Sequence, residues 1–160
     1  YLSTNEKTSH MMIQLYQEDG IILEPAGALP LCALDSLSKD KDLTGKNIVC
    51  ILSGGNNDIS RYDEINELNL NYLNLKHYFI IKFIQKPKQL KHFIKNVLGP
   101  DDDIVRFEYI KKTNRNYGNV LIGIELSNAE DIDNLIQNLN IYKYEYKKID
   151  KSDLIYDYLI

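Results

Sequence analysis

Five apolar residues, Ile48-Val49-Cys50-Ile51-Leu52, run directly into Ser53-Gly54-Gly55-Asn56. An apolar run of that length bounded by polar residues predicts a strand buried on both faces, the parallel-sheet type. Ligands of open α/β sheets bind beyond the carboxyl ends of such strands, so the Ser53 hydroxyl stands at a ligand position. Gly54 and Gly55 carry no side chain, and backbone there can approach a flat ring closely. Taken alone, Ser-Gly-Gly after a strand is also an ordinary turn. Asn56 either orders that turn through its side chain or takes a left-handed position.

Four other groups of residues could carry chemistry. Glu24 precedes Pro25 and a helical stretch, where a carboxylate favours the helix macrodipole; Gly27 behind it suits close packing. Gln85, Pro87, Gln89 and Leu90 lie on a strand-to-helix loop, and a helix N-terminus there offers free N–H groups to a carboxylate. Asp101-Asp102-Asp103 reads as a polar turn leading into a strand rather than a metal site. His10, His77 and His92 have neither nucleophile nor metal spacing, and Cys32 and Cys50 read as buried thiols of a reducing compartment.

The elements that must position these residues fall into two halves. In the first, residues 9–18 predict a helix with Ser9 as N-cap and Met12, Leu15 and Tyr16 at helical spacing. Residues 21–23 predict a short extended piece, and Glu24 must stay extended before Pro25. Residues 27–38 predict a helix with Pro30 in its first turn. A polar linker over 39–46, the strand over 48–52 and a charged helix over 58–68 follow. This is the tail of an α/β domain and too little to close one.

The second half has another rhythm. Strands are predicted over 77–84, 104–112, 120–126 and 142–149, with helices over 88–98 and 129–139 and a turn over 114–118. On the first helix Leu90, Phe93, Ile94 and Val97 form one stripe; on the second, Ile132, Leu135, Ile136 and Leu139 do. In the second strand Val105, Phe107 and Tyr109 alternate against Arg106 and Glu108. The order β-α-β-β-α-β is the split βαβ, ferredoxin-like arrangement. Residues 154–160 predict a closing short helix or extended tail. The 160 residues are 44% hydrophobic and 26% charged, with a net charge of −4. That balance suits a soluble globular protein and leaves no electrostatic footprint for nucleic acid. No run approaches membrane-spanning length and no signal peptide opens the chain, so a cytoplasmic setting is expected. Tyr1 leads straight into a helical pattern, as in a chain cut from a longer one.

The ordered set of strings resembles the threonine dehydratase group of fold-type-II pyridoxal-phosphate (PLP) enzymes. It comprises Glu24-Pro25-Ala26-Gly27-Ala28, Gly45-Lys46, residues 51–61 and Leu75-Lys76-His77-Tyr78-Phe79. Residues 97–104 and Phe107-Glu108-Tyr109-Ile110-Lys111-Lys112 look like the ACT-like domain of the shorter biosynthetic enzymes. The resemblance implies the end of a PLP-dependent catalytic domain over 1–74, an ACT-like regulatory domain over 77–151 and a tail over 152–160. It implies that Ser53 hydrogen-bonds the pyridine nitrogen of PLP, with Gly54 and Glu24 beside the ring. A hydroxyl there leaves that nitrogen neutral, where a carboxylate would keep it protonated. The implied reaction turns L-threonine, or L-serine, into a 2-oxo acid and ammonia within isoleucine biosynthesis. The implied effector is isoleucine or valine at Gln85, Pro87, Gln89 and Leu90, and the implied assembly a homotetramer with modules paired across strand edges. The family pattern Pro-Gly-Ala-Leu reads Pro87-Lys88-Gln89-Leu90 here, and bulkier side chains would narrow such a pocket. None of the chain's lysines stands in the family's Ser-x-Lys motif that holds the cofactor, so no catalytic residue is assigned and the chain is expected to be inactive alone. A serine dehydratase or a non-catalytic amino-acid-binding module are the alternatives; the module at 75–160 weighs against the first, and the segments at 24–28 and 53–56 against the second.

Overall fold

A computed structural model describes residues 1–56, 58–111 and 115–159. They divide into two compact units, Tyr1–Leu73 and Asn74–Ile160.

The first unit is helical. Its helices are α1 (Asn5–Asp19), α2 (Pro25–Asp40) and, after a 3₁₀ turn at Ile59–Arg61, α3 (Tyr62–Tyr72). α1 starts a turn earlier than its apolar pattern suggests. Thr4 is the N-cap, its side chain accepting from the Lys7 N–H, and Ser9 lies buried within the helix. Left-handed Gly20 ends it, its N–H donating to Tyr16 O. Glu24 is extended, as the following proline requires, and Pro25 occupies the first helical position, where its missing N–H leaves nothing unsatisfied. Pro30 therefore sits inside α2 rather than in its first turn. Met12, Ile13, Leu23, Ala28 and Ile65 form the core, with Leu15, Leu52 and Tyr62 against it.

The strand expected over residues 48–52 does not form. No described residue of this unit is in a strand. Leu52 packs inward and Cys50 is half-buried, its thiol 3.8 Å from Pro30 O, while Val49 is 86% and Ile51 78% exposed. The segment alternates instead of being buried on both faces. A central strand exists only by hydrogen bonding to neighbours, and among the described residues none is offered.

The second unit has the expected order: β1 (Lys76–Ile84), α4 (Gln89–Asn96), β2 (Asp103–Tyr109), β3 (Tyr117–Glu125), α5 (Asp131–Ile141) and β4 (Glu145–Ile149). The sheet runs β2-β3-β1-β4 with every neighbour antiparallel, so each βαβ crossover straddles one strand. Period-two alternation then sorts the side chains. Phe79, Ile81 and Phe83 of β1 and Val120, Ile122 and Ile124 of β3 point to one face, where Phe93, Val97, Leu135 and Leu139 cover them. The stripe on α4 is narrower than expected, because Leu90 and Ile94 remain exposed while Phe93 and Val97 are fully buried.

In β2 the register jumps between Ile104 and Arg106, a bulge that takes Val105 out of the alternation. Ile104 packs against the core instead, while Phe107 meets Phe83 edge-on. The opposite face is half-covered: a C-terminal strap brings Tyr156 and Leu159 over Tyr78, Ile80, Leu121 and Ile149. The Tyr78 hydroxyl donates to Leu159 O at 3.1 Å. The strap contains a 3₁₀ turn at Tyr156–Tyr158. Lys112, Asn114 and Ile160, within the strand, turn and tail expected there, lie outside the described residues, as does Asn57.

Phe79 lies at the centre of β1 with no exposed surface and meets Tyr146 edge-on. Phe79→Ala is expected to destabilise the second unit by about 3–5 kcal/mol in urea unfolding, as such truncations do in packed cores. A loss below about 1 kcal/mol would show a site that collapses freely or a core centred elsewhere.

Candidate functional site

The residues singled out in the first half are brought together by two backbone approaches. The N–H of Glu24, N-cap of α2, donates to Gly54 O at 2.5 Å. A Cβ on Gly27 would lie 1.6 Å from Ser53 O, so the first turn of α2 touches the 53–54 backbone only because Gly27 is bare. Gly54 has φ +75°, and a Cβ on it would lie 2.1 Å from the Glu24 carboxyl carbon. Two glycines thus permit close packing, with the Ser53 carbonyl against Gly27 and the Glu24 carboxyl against Gly54.

The Glu24 side chain makes no capping hydrogen bond. Ser53 is exposed, and its hydroxyl has no partner among the described residues. Gly54, not Asn56, takes the left-handed conformation of this turn. The packing role read for Gly27 is what the geometry shows.

The four loop residues in the second half have different fates. Gln85 is a clamp: its Nε2 donates to Arg115 O at 2.9 Å and Tyr117 O at 3.0 Å, and its N–H donates to Asn116 O at 2.8 Å. Pro87 and Leu90 are exposed. Gln89 lines a cavity of about 240 Å³ with Lys82, Ile84, His92, Tyr117, Tyr142, Lys143, Tyr144 and Glu145. Lys82 donates to Glu145 at 2.8 Å and stands 4.9 Å from the Tyr117 ring centroid, and the Glu145 carboxylate holds its ammonium pKa above the usual lysine range. The His92 Nδ1 lies 3.1 Å from the Tyr144 hydroxyl, whose own pKa burial pushes up. Sequence reasoning missed these tyrosines and Glu145, because they reach the α4 end from β3, the α5–β4 turn and the start of β4, distant in sequence.

The Gly-to-Lys departure at position 88 has a structural consequence. Lys88 caps α4 with φ +71°, the left-handed region in which a Cβ is strained. The family glycine fits that backbone without strain.

The remaining candidates have structural explanations. Asp102 Oδ2 accepts from the Gly99 N–H at 2.7 Å, closing the turn before β2. No His, Cys, Asp or Glu group able to hold a metal occurs among the described residues, and both cysteines are free. His10 stacks on Tyr72 and hydrogen-bonds Asn69. His77 is buried at the start of β1, its Nε2 2.9 Å from Asn74 O. No helix of the described residues is long and apolar enough to cross a membrane.

Residues 67–159, more than half of the chain, match the family model described as the C-terminal regulatory domain of threonine dehydratase. The chain is 52% identical over 149 residues to the biosynthetic L-threonine dehydratase of Halalkalibacterium halodurans, covering 93% of this chain and 35% of that protein. It is 49% identical over 152 residues to the corresponding enzyme of Lactococcus lactis, covering 95% and 36%. For that of Bacillus subtilis it is 46% over 154 residues, covering 96% and 36%. The chain thus spans about a third of the length of the curated relatives it matches.

Two outcomes are expected at these positions. Burial, then the Lys148 ammonium, push the His77 pKa down from 6.5 to about 4. The unfolded chain therefore takes up the proton first, so stability is full above about pH 6.5 and falls as pH drops toward 4. His77→Gln keeps a donor for Asn74 O and is expected to flatten that decline in urea midpoints; an unchanged slope would place the proton elsewhere. Lys88→Gly is expected to raise stability by about 1 kcal/mol through relief of the left-handed strain, read as a higher melting temperature. A lower one would mean that the lysine stem contributes more than the strain removes.

Proposed function

This chain belongs to the threonine dehydratase C-terminal regulatory domain family, and from that premise we propose that it is the C-terminal part of a PLP-dependent threonine ammonia-lyase. Residues 1–74 are then the end of the catalytic domain and residues 77–151 its amino-acid-sensing module. The carrying observation is the approach of the first turn of α2 to the 53–54 backbone, which bare Gly27 permits and which sets the Glu24 carboxyl against Gly54 beside the exposed Ser53. An exposed hydroxyl without a partner among the described residues suits a ring nitrogen as its acceptor.

When bound, PLP withdraws electrons from the α-carbon of an amino acid, so that the α-proton and the β-hydroxyl of L-threonine, or L-serine, can leave. Ser53 would donate its Oγ–H to the pyridine nitrogen. A hydroxyl, with its high pKa, keeps its proton and leaves the nitrogen neutral, which suits an elimination. Glu24 and Gly54 would border the ring, with the Glu24 position fixed by its N–H bond to Gly54 O. The products from threonine are 2-oxobutanoate and ammonia, the former a precursor of isoleucine. In the second unit, an isoleucine or valine carboxylate would meet the N–H groups opening α4 near Gln85, Pro87, Gln89 and Leu90. Exposed strand edges at β2 and β4 support pairing between copies, here as a homotetramer. A cytoplasmic setting suits free thiols at Cys32 and Cys50.

A chimera tests this reading. Replacing the matching C-terminal third of the Bacillus subtilis relative with this chain is expected to yield an enzyme that releases 2-oxobutanoate from threonine. Ser53→Ala in that chimera is expected to lower kcat by about tenfold or more, the worth of one buried hydrogen bond. The 160-residue chain alone is expected to retain no borohydride-fixed PLP. Full activity with alanine at position 53 would remove Ser53 from the site; a lysine of this chain fixed to PLP would overturn the division of labour.

A further inference from the structure

We propose that the cavity at which the three helices of the first unit begin is a binding site for inorganic phosphate. The cavity, about 200 Å³, is lined by Asn5, Ser9, Pro25, Arg61 and Glu64, with Ile65 among its apolar residues. Asn5 is the first residue of α1, Pro25 the first of α2, and Arg61 the N-cap of α3. Three positive dipole ends therefore border one small space, and each belongs to a helix of 11 residues or more. The Arg61 guanidinium adds a full charge of the same sign.

A second observation is independent of the helix ends. Ser9 lines the cavity and is only 5% exposed, yet its hydroxyl has no hydrogen-bond partner among the described residues. Its neighbour Thr8 is settled, donating to Thr4 O at 2.9 Å as hydroxyls within helices do. A buried donor left open at a cavity calls for an acceptor inside it. Arg61 is also available, since its Nε stands 3.8 Å from the Glu64 carboxylate, too far for a hydrogen bond.

Glu64 selects among anions. It is the one carboxylate among the lining residues; Glu6, Glu24 and Asp63, also at these helix starts, do not line the cavity. A carboxylate repels an oxyanion unless that anion brings a proton to share. Inorganic phosphate keeps one hydroxyl proton near neutral pH and can donate it to Glu64. Sulfate has none there, and a phosphate monoester has mostly lost its own. Guanidinium fork, serine hydroxyl, helix N-termini and a single acceptor together match hydrogen phosphate. The site does not depend on the PLP reading, because none of its residues is assigned to that cofactor.

Calorimetric titration of the 160-residue chain with sodium phosphate, sodium sulfate and glycerol 3-phosphate, at matched ionic strength, tests it. Phosphate is expected to bind about tenfold or more tighter than either of the others, the worth of one charge-assisted hydrogen bond. S9A and R61Q are each expected to weaken phosphate binding by about tenfold for the same reason. E64Q is expected to remove most of the preference over sulfate. Alanine is the better helix former at position 9 and Arg61 is exposed, and circular dichroism of each variant checks that the fold persists. Equal affinity for sulfate and phosphate in the unsubstituted chain would overturn the proposal. So would phosphate affinity unchanged in both S9A and R61Q, or no phosphate binding by calorimetry and phosphorus NMR.

Discussion

β1 is bonded along its whole length to β3 and over its central residues, Tyr78 to Lys82, to β4, and it supplies side chains to both faces of the sheet. Everything else in the second unit depends on that register. A one-residue slip would turn Phe79, Ile81 and Phe83 away from the helices and send Tyr78, Ile80 and Lys82 into the core. Gly123 helps to hold the setting, because a Cβ there would lie 2.8 Å from the Tyr78 ring. The Tyr78 hydroxyl then anchors the strap, which decides how much of the second face stays open.

The second unit was legible in sequence because each element's pattern agrees with its final packing. Phe93 on α4 and Val97 at its C-cap, and Leu135 and Leu139 on α5, are core residues by spacing and by burial. Leu90 and Ile94 fail that correspondence because an eight-residue helix turns only a narrow stripe toward the sheet. Val105 failed for a different reason: a bulge is a decision about pairing, and alternation within one strand does not record it. The first unit was less legible. Five apolar residues at 48–52 describe a strand only in the company of other strands.

Of the candidate site, the glycine-dependent packing at Gly27 was readable, and its contact, the Ser53 carbonyl, was not. That contact is long-range, and it brings residues far apart in sequence, Glu24 and Gly54, into one arrangement. The left-handed Lys88 shows the reverse situation. The departure from the family pattern was visible in sequence, and the backbone angle that it strains was not. Tyr142, Tyr144 and Glu145 were hidden because neither the turn after α5 nor the start of an alternating strand gives a sign of which end faces a cavity.

The bare stretch around Val49 and Ile51 bears on how this chain behaves as a material. Its outer side chains are apolar, and its backbone lies in no strand. An extended apolar segment with unpaired N–H and C=O groups is a template for the same segment of another molecule. Concentrated solutions of the isolated chain will therefore tend toward strand-mediated self-association, seeded outside the well-packed second unit. A charged residue at position 49 or 51 would act as a gatekeeper against it.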